Sequence, residues 1–130
     1  MKLDHLGIAV KSLESSIRFY HDLLGLDVGH VEEVAAEKVR VAMLPLGDTR
    51  VELLEATSDD SAIARFVAKR GEGLHHIAMK VDDLNAAVER LKAAGARLVT
   101  DQPGVGAGGH RYVFVHPQSS GGVLLELVEG

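Results

Sequence analysis

The stretch LDHLGIAVKSL (Leu3 to Leu13) is written a second time, seventy-one positions on, as LHHIAMKVDDL (Leu74 to Leu84). The pairing aligns Leu3 with Leu74, His5 with His76, Val10 with Val81, Ser12 with Asp83 and Leu13 with Leu84, the signature of an internal duplication. Each copy opens with period-two alternation, so each predicts a strand. In the first, Leu6, Ile8 and Val10 share one face and His5, Gly7 and Ala9 the other; in the second, Ile77, Met79 and Val81 oppose His76 and Ala78. Each strand therefore has a greasy face and a face that carries one histidine among small side chains. Alternation turns His75 to the face opposite His76.

After each strand the period changes to that of a helix. Ser12 and Asp83 are matching N-caps, followed by Leu13, Ile17, Tyr20 and Leu24 in one copy and by Leu84, Val88 and Leu91 in the other. Gly25 and Gly95 are the expected helix ends. Short β-branched runs predict strands at 27–34, 38–46 and 49–55, and again at 97–100, 110–116 and 122–129. Between them lie GDT (Gly47 to Thr49), PGVGAGG (Pro103 to Gly109) and SSGG (Ser119 to Gly122). The intervening SDDSAIARFVAKRGEG (Ser58 to Gly73) has its own cap and an Ile63, Phe66, Val67 stripe, so it reads as a linking helix.

The organisation that follows is one domain of residues 1–130, with module 1 over 1–57, a linking helix over 58–72 and module 2 over 73–130. The predicted class is α+β: two tandem βαβββ modules forming a curved, partly open mixed sheet around a metal cleft. Neither module alone can cover both faces of its sheet, so pairing them is the stable solution. Open sheet edges suit a symmetric partner, and a homodimer is expected.

Composition narrows the function. Of 130 residues, 46% are hydrophobic and 25% charged, the balance of a globular protein. Fourteen basic residues face nineteen acidic ones and are scattered, which predicts neither a nucleic-acid nor an anionic-membrane partner. No apolar run approaches membrane-spanning length. The start of the chain carries no apolar leader, and the expected location is cytoplasmic. Cysteine is absent, so any metal must be held by nitrogen and oxygen.

A late strand of each module carries a carboxylate inside an apolar run, Glu52 in VELLE and Glu126 in LLELV. Glutamate is depleted in strands, and an unpaired buried carboxylate costs on the order of several kcal/mol. Something positive should compensate for it. His5, Glu52, His76 and Glu126 occupy matched places in the two copies, and two imidazoles with two carboxylates suit one divalent ion such as Co, Mn, Ni, Zn or Fe. His21, His30 and His110 have no counterpart in the other copy and are read as ordinary surface or core residues.

With these residues in place, the whole chain resembles the vicinal oxygen chelate (glyoxalase/bleomycin resistance/dioxygenase) superfamily, whose members pair βαβββ modules around a metal. GDTRVELLEATSDDSAIARFVAKRGEGLHHIA (Gly47 to Ala78) and GAGGHRYVFVHPQSSGGVLLEL (Gly106 to Leu127) look like segments of its methylmalonyl-CoA epimerase family. The resemblance implies a metal-dependent isomerase acting on an acyl-CoA thioester, one divalent ion per chain with cobalt preferred, and His5, Glu52, His76 and Glu126 as ligands. Proton transfer at the carbon between thioester and carboxylate would then fall to Glu126 and Glu52. Gly106, Gly108, Gly109 and His116 are the expected substrate contacts; by composition alone the glycine loop also suits a plain hairpin connection, and His116 a turn. Two residues depart from the family pattern. Val41 stands where some members have a catalytic glutamate, those members having Gln at the position of Glu52, and Gln118 replaces a common lysine. The alternatives are a glyoxalase I-type isomerase and a non-catalytic small-molecule-binding relative.

Overall fold

A computed structural model describes all residues, 1–130. The chain forms two compact units, residues 5–75 and residues 1–4 with 76–130.

In the first unit, β1 (Lys2–Ala9) enters from the amino terminus and its Leu6 to Ala9 pair in parallel with Val51 to Leu54 of β4 (Thr49–Ala56). β4 runs antiparallel to β3 (Val39–Leu46), which pairs with β2 (His30–Val34), giving the order β2-β3-β4-β1. The strand expected from residue 27 starts at His30. Gly29 still donates its N–H to the Met43 carbonyl at 2.8 Å, but Met43 is already the register partner of His30, so the regular ladder stops there.

Helix α1 (Leu13–Ile17) is capped by Ser12, whose hydroxyl accepts from the Ser15 N–H at 3.2 Å. It widens into a π-helical turn over Arg18–Leu23, where Leu24 donates to the Phe19 carbonyl five residues back. The extra residue in that turn rotates the apolar stripe. Ile17 and Tyr20 pack against the Val10, Leu13, Ala42, Leu44, Val51 and Leu53 cluster, whereas Leu24, expected there too, is exposed and Leu26 packs in its stead. The opposite face of the sheet receives α2 (Ala62–Arg70), capped by Ser61, which buries Ile63 against Ala9, Val39, Val41 and Leu54. Phe66 and Val67 complete that contact, as the stripe in the linking segment predicted.

The second unit repeats the scheme. β5 (Gly73–Val81) pairs in parallel with β8 (Leu125–Glu129), β8 antiparallel with β7 (Arg111–Val115), and β7 with the two-residue β6 (Gly104–Val105), in the order β5-β8-β7-β6. Helix α3 (Leu84–Ala93) is capped by Asp83, which accepts from the Ala86 N–H at 3.0 Å. It ends at Gly95, where φ is +80° and paired bonds run from Gly95 to Lys92 and from Ala96 to Leu91, the glycine-terminated closure in which a left-handed residue satisfies the last carbonyls. Its apolar side packs Leu84, Ala87 and Val88 on Val81, Val113, Val115 and Leu127.

Two expected strands are corrected here. Residues 97–100 make only an isolated bridge from Leu98 to Val115, and the third strand of this module is displaced to Gly104–Val105. The Thr100 hydroxyl bonds the Gln102 carbonyl and Pro103 follows without an N–H, so the ladder breaks before it can extend. The strand expected from 122 begins at Leu125, because Gly121 and Gly122 turn the chain with φ of +76° and +91°. The duplicated βαβββ order and the mixture of parallel and antiparallel pairing are as the repeat predicted. No helix is long and apolar enough to cross a membrane.

Candidate metal centre

The register of the strands decides where the predicted ligands go. Glu52 lies opposite Gly7 on the parallel β1, and His5 is two residues before Gly7 on the same face. The imidazole thus reaches diagonally over a residue with no side chain, and Nδ1 of His5 stands 3.4 Å from Oε2 of Glu52. In the second unit Glu126 lies opposite Ala78 on β5, and His76 is two residues before Ala78. Nε2 of His76 stands 3.1 Å from Oε1 of Glu126. One strand geometry, repeated, brings each histidine to its own glutamate.

All four side chains are buried, with His5 and Glu52 each 4% exposed. Burial of this kind removes water as the partner of a carboxylate, so the matching must come from protein or from a bound cation. Every buried side-chain nitrogen and oxygen has a hydrogen-bond partner. For Glu52 the principal one is Arg50, two residues earlier on the same face of β4: its Nε donates to Oε2 at 2.8 Å and its Nη2 stands 2.7 Å from the same oxygen. The repeat did not point to Arg50, because Leu124 stands at the matching place in the second copy. For His76 the neighbour is Phe114, opposite Glu126 on β7, whose ring meets the imidazole edge-on at 5.4 Å. Tyr112 in turn packs edge-on against Phe114. In each unit a buried imidazole beside a buried carboxylate offers nitrogen and oxygen donors of the kind that suit a divalent ion of borderline or hard character.

A second duplicated device was missed at the sequence level. Glu55 accepts the Leu13 N–H at 2.9 Å and a bond from Arg40 at 3.0 Å. Glu129 accepts the Leu84 N–H at 3.2 Å and a bond from Arg111 at 3.2 Å. Each carboxylate ties the first turn of its helix to the sheet, where negative charge meets the positive helix end. The signal was present, since Arg40 and Arg111 are separated by the repeat interval, but charged residues at strand ends are common and only the register shows the link. Asp4 is also buried; its counterpart in the second copy is His75, which packs edge-on against Phe66 at 4.9 Å.

The glycine loop is built around Tyr112. A Cβ at Gly104 or Gly106 would stand 3.1 Å from the tyrosine ring, so the ring would have to give by a few tenths of an ångström. The Gly106 N–H donates to the His110 carbonyl and the Gly109 N–H to Gly106, so these two amides are engaged within the loop. Gly108 and Gly109 have φ of +72° and +77°. His116 accepts the Gln118 N–H on Nδ1 at 3.0 Å, and Gln118 itself receives a bond from Arg97. Val41, the position of the absent carboxylate, is sealed in the cluster beneath α2.

The model of the Glyoxalase/Bleomycin resistance protein/Dioxygenase superfamily matches residues 4–114. The chain belongs to this superfamily. Among its relatives, the ethylmalonyl-CoA/methylmalonyl-CoA epimerase of Cereibacter sphaeroides is 39% identical over 97% of this chain and 96% of its own. The structure of methylmalonyl-CoA epimerase from Mycobacterium tuberculosis superposes with a TM-score of 0.94 at 40% identity, covering 98% of this chain and 87% of that one. A Streptomyces coelicolor methylmalonyl-CoA epimerase variant in complex with 2-nitronate-propionyl-CoA superposes equally well, TM-score 0.94 at 38% identity, over 100% and 94% of the two chains. The matched residues include His5, Glu52 and His76 and end before Glu126.

Proposed function

We propose that the chain is a metal-dependent epimerase that interconverts (R)- and (S)-methylmalonyl-CoA, working as a single domain of residues 1–130. The observation that carries this reading is the pair of buried His–Glu diagonals at identical register. Full-length similarity to methylmalonyl-CoA epimerases supports the choice of substrate. His5, Glu52, His76 and Glu126 together would hold one divalent ion, with cobalt the preferred one and Mn, Ni, Zn and Fe the others that this donor set accepts. When bound, the ion would supply Lewis-acid stabilisation of the negative charge that develops on the thioester oxygen as the C2 proton leaves.

Inversion at C2 requires a proton to leave one face and another to arrive on the opposite face. Glu126 is assigned to one face, its carboxylate steadied through Oε1 by His76. Glu52 is assigned to the other. Arg50 and His5 both hold its Oε2, which makes Oε1 the oxygen that turns to the substrate. Gly106, Gly108 and Gly109 would let the chain approach the acyl group closely, and His116 would orient the turn beside it. We further propose a cytoplasmic homodimer.

A glyoxalase I-type isomerase is the second reading, favoured by two residues: Val41 in place of a carboxylate and Glu52 in place of Gln. Following deuterium entry at C2 of each methylmalonyl-CoA enantiomer, with protein stripped and then reloaded with each metal, tests the proposal. Exchange that vanishes on chelation and returns with metal is the expected result. Metal-loaded protein inert toward methylmalonyl-CoA but active on a glutathione hemithioacetal would overturn it in favour of the second reading.

A further inference from the structure

We infer that Arg50 is an internal counter-ion to Glu52 that competes with the metal and so sets how tightly the centre holds it. The inference rests on the reading of His5 and Glu52 as metal ligands. A ligand carboxylate in an open site would keep both oxygens for the ion, yet Oε2 of Glu52 accepts the Arg50 Nε–H at 2.8 Å, has the Arg50 Nη2 at 2.7 Å and lies 3.4 Å from the His5 imidazole. The fork is aimed by backbone: Arg50 and Glu52 share a face of β4 as residues two apart, and the strand is locked between β3 and β1. Glu52 is 4% exposed, whereas the Arg50 side chain keeps 27% of its surface. The guanidinium therefore covers the buried acid from the solvent side.

Two consequences follow from charge alone. Without metal, Arg50 offsets a carboxylate that burial would otherwise penalise. With metal, a fixed positive charge next to a divalent ion opposes its binding. The second copy has no such element at the matching position, because Leu124 stands there. The arrangement gives the two carboxylates unequal claims on the ion, with Glu126 the firmer ligand and Glu52 the one that yields.

The test is metal affinity by chelator competition, together with the thermal midpoint of the metal-free protein, for the parent, Arg50→Met, Glu52→Gln and the double variant. Arg50→Met should bind Co²⁺ about tenfold or more tightly and should melt at a lower temperature when metal-free. Arg50→Lys should fall between, since an ammonium gives a point charge without the fork. In the Glu52→Gln background, Arg50→Met should change affinity less, because only the repulsion between guanidinium and ion is relieved and no ion pair is left to break. Parent protein that takes up no divalent ion would remove the metal reading itself. Parent protein that binds metal while Arg50→Met binds it equally or more weakly would overturn this inference and leave the metal reading standing.

Discussion

The two modules have the same skeleton and different chemistry. Both set a histidine two residues before the partner of a glutamate on a parallel strand pair. Both tether a helix N-terminus through an Arg–Glu pair on the sheet. They differ in what surrounds the glutamate. Glu52 faces Met43 across β3 and is gripped by Arg50; Glu126 faces Phe114 across β7, whose ring lies against His76. They differ also in their third strands, five residues of β2 against two of β6, with the glycine loop following the shorter one. Duplication thus fixes where the candidate ligands stand, and later divergence makes the halves unequal. An epimerase needs that inequality, because it must treat two faces of one carbon.

Substitution of the glutamates gives the largest effect and the sharpest test. Glu126→Gln should lower epimerisation by about 10²–10⁴-fold, the range lost with a general base. Glu52→Gln should keep much of its metal, since an amide oxygen still coordinates, and should stop inversion while one enantiomer continues to exchange its C2 proton with deuterated solvent. Glu52→Gln protein that holds metal and epimerises at the parent rate would show Glu52 to be a ligand alone.

Core substitutions compare the modules as folding units. Leu84, the first residue of α3, and Leu53, in the cluster that α1 covers, are each fully buried. Leu84→Ala and Leu53→Ala should each cost about 2–5 kcal/mol in denaturant unfolding. A transition that splits into two steps for either variant would show that the modules unfold separately.

Smaller effects attach to the helix ends. Ser12→Ala and Asp83→Ala should each destabilise by about 1 kcal/mol, with Asp83 the larger because its charge also meets the positive end of α3. Equal losses would show that the hydrogen bond alone matters.

The least effect belongs to a surface pair. Hydrogen bonds from Lys38 and then Ser58 lower the Asp60 carboxyl from 3.8 to about 2. A depressed carboxylate contributes stability above its unfolded value, and that contribution is lost as pH falls through about 2. Lys38→Met should return the Asp60 titration, followed by NMR, toward its ordinary value. Asp60 is fully exposed, so the effect on melting should be slight.

Much of this was legible in one dimension. Repetition at a fixed interval named His5 and His76, and the similar distance to Glu52 and Glu126 named the carboxylates. The caps Ser12 and Asp83 were equally plain, since a cap acts on amides two or three residues away. Local rules failed where the deciding partner was distant in sequence. The ladder of β2 stopped at the His30–Met43 pair, and the π-helical turn expelled Leu24 from a stripe drawn at ordinary helical spacing.

The sequence by itself determined the duplicated βαβββ plan and pointed to four candidate donor residues, because period, caps and turn chemistry act over a few residues and a repeat can be counted. Tertiary structure alone decided which groups share an atom. That Oε2 of Glu52 would be held by both Arg50 and His5 depends on strand register and on which side chains reach across it. A shift of register by one residue reverses every face of a strand, so hydrogen bonding between strands settles what residue order leaves open.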